Sequence, residues 1–172
     1  MSKQHLFFPL LLIVLLSGCG YQLRGTDGGM AMPQISPLYI NGLALADPFT
    51  QVLRNNLRGA EVELTDNPAE ARQTLYVFNH LRDKRVHSIG SRGKVLEYEL
   101  IEQLSFRLGS PPDRLEREQA QQLRVSRVYT NPETETLGRQ YEESELRRDM
   151  HQQLASRLLR QMAHQVKAAQ GQ

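Results

Sequence analysis

Residues 73–108 read QTLYVFNHLRDKRVHSIGSRGKVLEYELIEQLSFRL, and this stretch decides the fold. Gly90-Ser91-Arg92-Gly93 at its centre is a turn signal. Each half carries the period-two alternation of a strand. Leu75, Val77 and Leu81 fall on one face of the first half, and Tyr76 and Phe78 on the other. In the second half Leu96, Tyr98, Leu100, Leu104, Phe106 and Leu108 share one parity. Glu102 interrupts that stripe. It is expected at a sheet edge, or beside a bulge near Ile101 that shifts the register. The reading is two long strands, Gln73–Ile89 and Val95–Leu108, joined as a hairpin.

Working outward, Leu38-Tyr39-Ile40 is a short strand between Pro37 and Asn41-Gly42. Asp47-Pro48 opens a helix, because Asp suits the N-cap and Pro the first helical position. Phe49, Val52, Leu53 and Leu57 share one helical face, and Gly59 is the expected stop. Val62 and Leu64 alternate with Glu61 and Glu63 as a brief extended piece before Asn67-Pro68. Beyond the hairpin, Ser110-Pro111-Pro112-Asp113 is a turn, and Gln122–Thr130 is a third long strand ending at Asn131-Pro132. A long helix follows over about Glu142–Ala168. Its Leu146, Met150, Leu154, Leu158, Met162 and Val166 repeat every four residues, and Ala155, Leu159 and Ala163 widen the stripe. The fold class is therefore α+β: a two-layer sandwich with two helices on a mostly antiparallel sheet of about four strands. The sheet face away from the helices is left to be polar or covered by a partner or ligand.

The chain begins MSKQHLFFPLLLIVLLSGC. Lys3 gives a positive start, and Leu6–Leu16 is apolar except for Pro9. That run is too short to cross a bilayer, which takes roughly 20 apolar residues, and has the length of a signal-peptide core. Leu16-Ser17-Gly18-Cys19 resembles a bacterial lipobox, in which the leader is cut before a cysteine that carries lipid. The expected organisation is a leader over 1–18, a lipidated Gly-rich tether over 19–35, and one domain over 36–172. Gly20 rather than Asp after the cysteine points to the outer membrane. Loss of Lys3 with the leader leaves 20 basic against 19 acidic residues, so any anionic ligand must be met by a local cluster. Lipid on Cys19, the only cysteine, leaves neither disulfide nor free thiol.

Cys19-Gly20-Tyr21-Gln22-Leu23-Arg24-Gly25 resembles the mature start of the lipopolysaccharide-assembly lipoprotein LptE family. The capped helix, Gly59-Ala60-Glu61-Val62-Glu63-Leu64, the long hairpin and Val128-Tyr129-Thr130-Asn131-Pro132 follow in that family's order. The resemblance implies an outer-membrane lipoprotein that plugs the LptD β-barrel and binds lipopolysaccharide through basic residues at one end of the sheet. It points to Arg92, flanked by Lys94 and Arg85, within a cluster that also holds Arg82, Lys84 and His87. Arg139, expected in a loop at the same end, is a further candidate. Arg offers a planar fork to lipid A phosphates, and Lys a point charge.

Other classes find little support. His80 and His87 are seven apart and fall on opposite strand faces, while His151 and His164 lie well apart around a helix. Neither spacing makes a metal pair, and no cofactor is implied. Gly90-Ser91-Arg92-Gly93 is not a nucleophile elbow. Nucleic acid is a poor partner, because no stacking aromatics interleave the basic hairpin. The expectation is a non-enzymatic subunit. An adaptor lipoprotein for another barrel or secretion pore is the alternative, and a periplasmic hydrolase would need a convergent polar pocket.

Overall fold

The computed structural model describes residues 31–110, 120–131 and 136–170, with the side chains of 136–140 left aside. The leader, Cys19, most of the tether and the turn after Ser110 lie outside the described residues. Five strands and two helices follow in order: β1 Leu38–Asn41, α1 Pro48–Gly59, β2 Leu64–Thr65, β3 Gln73–Ile89, β4 Val95–Gly109, β5 Gln121–Thr130 and α2 Thr136–Gln170. The sheet order is β2-β1-β3-β4-β5. β1 runs parallel to β2 and β3, whereas β3, β4 and β5 are antiparallel. The sandwich is as expected in class, but the sheet has five strands and is mixed rather than four and mostly antiparallel. The cause is α1, which carries the chain back so that β1 and β2 pair in the same direction.

The capping chemistry holds α1 as the sequence dictates. Asp47 Oδ1 accepts the N–H of Phe49 at 2.8 Å, and Pro48 fills the first turn. Phe49, Leu53 and Leu57 are fully buried. The helix ends at Gly59, but the left-handed residue is Glu61 (φ 59). The N–H groups of Glu61 and Val62 reach Arg58 O and Leu57 O at 3.0 Å, which closes a Schellman motif.

α2 starts earlier than its apolar stripe and covers the sheet with α1. Met150, Leu154, Ala155, Leu158 and Met162 are buried against Leu75, Leu100, Leu104 and Phe106. Met32 and Ile35, in the expected tether, are buried in this core, and Met32 N–H bonds Ala60 O at 2.9 Å. The folded body therefore takes in residues before 36, because two apolar side chains find cover there.

Bulges rephase β3. Val77 pairs with Phe106 and Asn79 with Ser105, so Phe78 is the extra residue. Leu75 and Val77 face the helices, but after the bulge it is His80, Arg82 and Lys84 that do. Leu81 consequently points to the other face and is exposed, contrary to the alternation read without a bulge.

Candidate functional site

The residue that breaks the apolar stripe of β4 sits at neither an edge nor a local bulge. Glu102 lies on a strand paired on both sides, faces the helices and is wholly buried. An ionised carboxylate there must be compensated. His80 Nε2 stands 3.1 Å from Oε2 and, facing an acceptor, carries the proton. Arg147 Nη1 donates to Oε1 at 3.3 Å, and Arg82 Nε is 3.8 Å away. His151 Nε2 lies 3.4 Å from Oε1, close enough to attract but without hydrogen-bond geometry. Burial pushes the carboxyl upward, but His151 and His80 outweigh it and hold it at about 2. Phe49 packs on both imidazoles, with centroids 4.8 and 5.9 Å away.

The charge network continues along the interface. Arg82 also pairs with the capping Asp47, and Arg147 with Glu143 at 3.0 Å. Glu143 accepts from Lys84 Nζ at 2.6 Å and from Tyr129 OH at 2.9 Å. Lys84 Nζ sits 4.4 Å from the centroid of Tyr98 and 5.5 Å from that of Tyr129. Desolvation opposes the Lys84 charge, but Glu143 outweighs it and raises the ammonium pKa. Desolvation likewise opposes ionisation of Glu143, whose carboxyl is lowered by Lys84, Tyr129 and Arg147.

This network divides the basic cluster of the hairpin. Arg82 and Lys84 point inward and are spent on Asp47, Glu102 and Glu143. Arg85 points to the opposite face, where Glu99 accepts from its Nε at 2.8 Å and from Arg124 at 3.4 Å. Only Arg92 and Lys94 stand at the crown. The N–H of Gly93 bonds Gly90 O at 2.9 Å, and the N–H of Gly90 bonds Lys94 O at 2.8 Å. Gly93 takes a positive φ of 75, as a three-residue hairpin turn requires. Both basic side chains are exposed.

Arg139 lies in the first turns of α2 rather than in a loop; its side chain is outside the described residues. Its backbone nevertheless belongs to the same end of the molecule as the crown. β5 ends at Thr130 opposite Glu97, and Asn131 ties that end to the hairpin through Leu96 O (2.7 Å) and Val95 O (2.9 Å). We call this the distal end. It lies a strand length, about 55 Å for 17 residues, from the start of β3.

Sequence reasoning missed Glu143, Arg147, His80 and His151 as a group. Spacing along the chain separates His80 from His87 and His151 from His164, but the fold brings His80 and His151 to one carboxylate. One signal was present. Glu143, Arg147 and His151 continue, at four-residue spacing, the row that becomes Ala155 and Leu159. Polar residues on a stripe that is elsewhere buried call for a buried polar partner. Among the described residues, no group of His, Cys, Asp or Glu could hold a metal ion. No described helix is long and apolar enough to cross a membrane.

A helical layer clamped to a long-stranded sheet by internal ion pairs, with exposed cations at the crown of the hairpin, defines a two-layer α+β domain. The sequence model of LptE, described as lipopolysaccharide-assembly, matches residues 34–162. This chain belongs to the LptE lipopolysaccharide-assembly family, whose members are non-enzymatic lipoproteins. It is 25% identical over 163 residues to the LPS-assembly lipoprotein LptE of Pectobacterium atrosepticum, covering 92% of this chain and 86% of the relative. Similarity to the protein of the same name from Yersinia enterocolitica is 26% over 175 residues, covering 97% and 82%. In fold the chain is similar to the rare lipoprotein B of Shewanella oneidensis, with a TM-score of 0.66, 23% identity and 78% and 98% of the two chains covered. An uncharacterized lipoprotein B from Nitrosomonas europaea gives 0.64, 22% identity and 87% and 94% coverage.

Proposed function

We propose that this protein is the lipoprotein subunit of an outer-membrane lipopolysaccharide translocon. The leader over 1–18 is removed, lipid on Cys19 anchors the chain, and the folded body plugs an LptD β-barrel. Lipopolysaccharide binds at the distal end. Arg92 is the principal phosphate contact, with Lys94 beside it and Arg139, in the first turns of α2, as a further contact. Arg85 contributes less, because Glu99 already meets its charge.

The observation that carries this reading is the position of Arg92. It sits at the crown of a hairpin whose arms are 17 and 15 residues long, exposed and without an ion pair among the described residues. A phosphate there gains a charge-assisted hydrogen bond without breaking an internal one.

Reversing charge with Arg92→Glu and Lys94→Glu should weaken lipopolysaccharide binding about tenfold or more, since each bond to a charged group contributes about 1.5–3 kcal/mol. The thermal midpoint should move little, because both residues are exposed. Unchanged binding would reject the site. A mild-detergent pull-down from the native outer membrane tests the plug separately. A stoichiometric LptD barrel supports it, and a clean preparation without that barrel returns the chain to an adaptor role with another partner.

A further inference from the structure

β5 is the edge of the sheet opposite β2, and α2 packs beside it. Just past its end, Asn131 N–H bonds Leu96 O of β4. Odd-numbered residues of β5 therefore turn their backbone groups toward β4, and even-numbered ones turn them outward. Two of the outward carbonyls are taken by arginines. Arg157 Nη1 of α2 donates to Arg124 O at 2.9 Å, and Arg127 Nη1 donates to Ser126 O at 3.0 Å. Arg127 Nη2 also donates to Gln153 Oε1 at 3.1 Å. Carbonyls two residues apart on one edge of a strand are about 7 Å apart, so the two guanidiniums are held side by side at about that spacing.

The carboxylates that balance charge elsewhere do not reach them. Neither β5 nor residues 150–170 of α2 contain Asp or Glu. Gln153, Arg157 and Arg160 are four and three residues apart and share one side of α2. Arg160 is exposed. Among the described residues Arg127, Arg157 and Arg160 have no ion pair, whereas Arg82, Lys84 and Arg147 each meet a carboxylate. A carbonyl takes one N–H of Arg157 and leaves further donors in the same plane. The fork is thus already oriented, and an anion meeting it orders little more.

We propose that this flank of β5 and α2 docks an acidic, extended segment of a partner polypeptide. Alternate residues of an extended chain share a face and stand about 7 Å apart. Carboxylates at alternate positions match Arg127 and Arg157, and each pair forms a charge-assisted hydrogen bond. Arg160 continues the positive strip along α2. The outward N–H groups of the even-numbered β5 residues are placed to meet carbonyls of the same segment. The flank shares no residue with the lipopolysaccharide site proposed above and does not depend on it.

The test titrates the full mature chain with a fluorescent peptide in which Glu alternates with Thr. A peptide of the same composition with its Glu residues in one block is the comparison. The variants are Arg127→Gln combined with Arg157→Gln, and Arg160→Glu alone. Arg160→Glu leaves every hydrogen bond of the flank in place and reads charge alone. The parent should bind the alternating peptide more tightly than the blocked one, and less tightly as salt rises. The double variant should bind it about tenfold or more weakly, from two lost charge-assisted bonds. Arg160→Glu should bind about threefold more weakly, and Arg92→Glu, at the crown, as well as the parent. No binding by the parent, or equal binding of the two peptides, would overturn the inference. So would an equal loss in Arg92→Glu, which would mean unspecific attraction to positive charge. Preference for inorganic polyphosphate over the alternating peptide would overturn it and assign the flank to phosphate polymers. Self-association of the double variant with peptide binding unchanged would overturn it too, leaving the arginines as guards of a bare sheet edge.

Discussion

His80 Nε2 lies 3.1 Å from Glu102 Oε2, and this contact between neighbouring strands sits beneath both helices. The pair is the centre of a network that joins α1, through Asp47, to α2, through Arg147 and His151. The sheet and its helical layer are thus fastened by charge at one level and by apolar packing from Met150 onward.

Removing the central carboxylate should be costly. Glu102→Ala leaves Arg147 and two histidines around an uncompensated site, and breaking a buried ion pair costs about 3–5 kcal/mol. Urea unfolding of the parent and variant checks this. A loss below about 1 kcal/mol would mean that the cluster is nearly neutral in stability.

Acid should reproduce part of that loss. The folded carboxyl at about 2 lies below its ordinary value of 4.5. A depressed pKa contributes stability that is present above pH 4.5 and lost as pH falls through about 2. The shift corresponds to about 3 kcal/mol at 1.36 kcal/mol per pKa unit. Stability measured from pH 5 down to pH 2 should fall more steeply for the parent than for Glu102→Gln. Parallel curves would remove Glu102 as the source.

Gly42 is held at the end of β1 by a close approach rather than by its turn alone. Its φ is 90, and an added Cβ would stand 2.0 Å from Val77 O on the paired strand. Gly42→Ala should therefore destabilise by about 3 kcal/mol or more, since both the backbone region and the packing oppose it. A change within 0.5 kcal/mol in urea unfolding would show that β1 can withdraw from β3 at little cost.

The reverse substitution should help at the end of α1. Glu61 occupies a left-handed position with a φ of 59, where a side chain is disfavoured and glycine is not. Glu61→Gly should raise stability by about 0.5–1 kcal/mol, seen as a higher urea midpoint at an unchanged slope. Loss of stability would mean that the Glu61 side chain makes a contribution larger than the strain it carries.

The division of the hairpin cations shows how far local sequence can reach. Parity alone separates Arg82 and Lys84 from Arg85. It cannot say which pair of faces meets the helices, because the bulge at Phe78 inverts the phase set by Leu75 and Val77. A bulge depends on the register of the neighbouring strand and leaves no mark on its own. The crown was legible, because Gly90 and Gly93 mark the turn and place Arg92 on it. Arg139 was legible as lying at that end but not as helical, since α2 begins before its apolar stripe does.

The sequence by itself determined the long strands, the capped α1, the helical stripe of α2 and the turn that exposes Arg92. These follow from alternation, four-residue spacing, Asp-Pro capping and glycine punctuation, all of which act over a few residues. Tertiary structure alone decided the parallel seating of β1 and β2, the phase of β3 and the burial of Glu102. Those outcomes depend on residues brought together from elements far apart in the chain: His80 and Arg82 from β3, Arg147 and His151 from α2. A buried carboxylate is tolerated only where such partners converge.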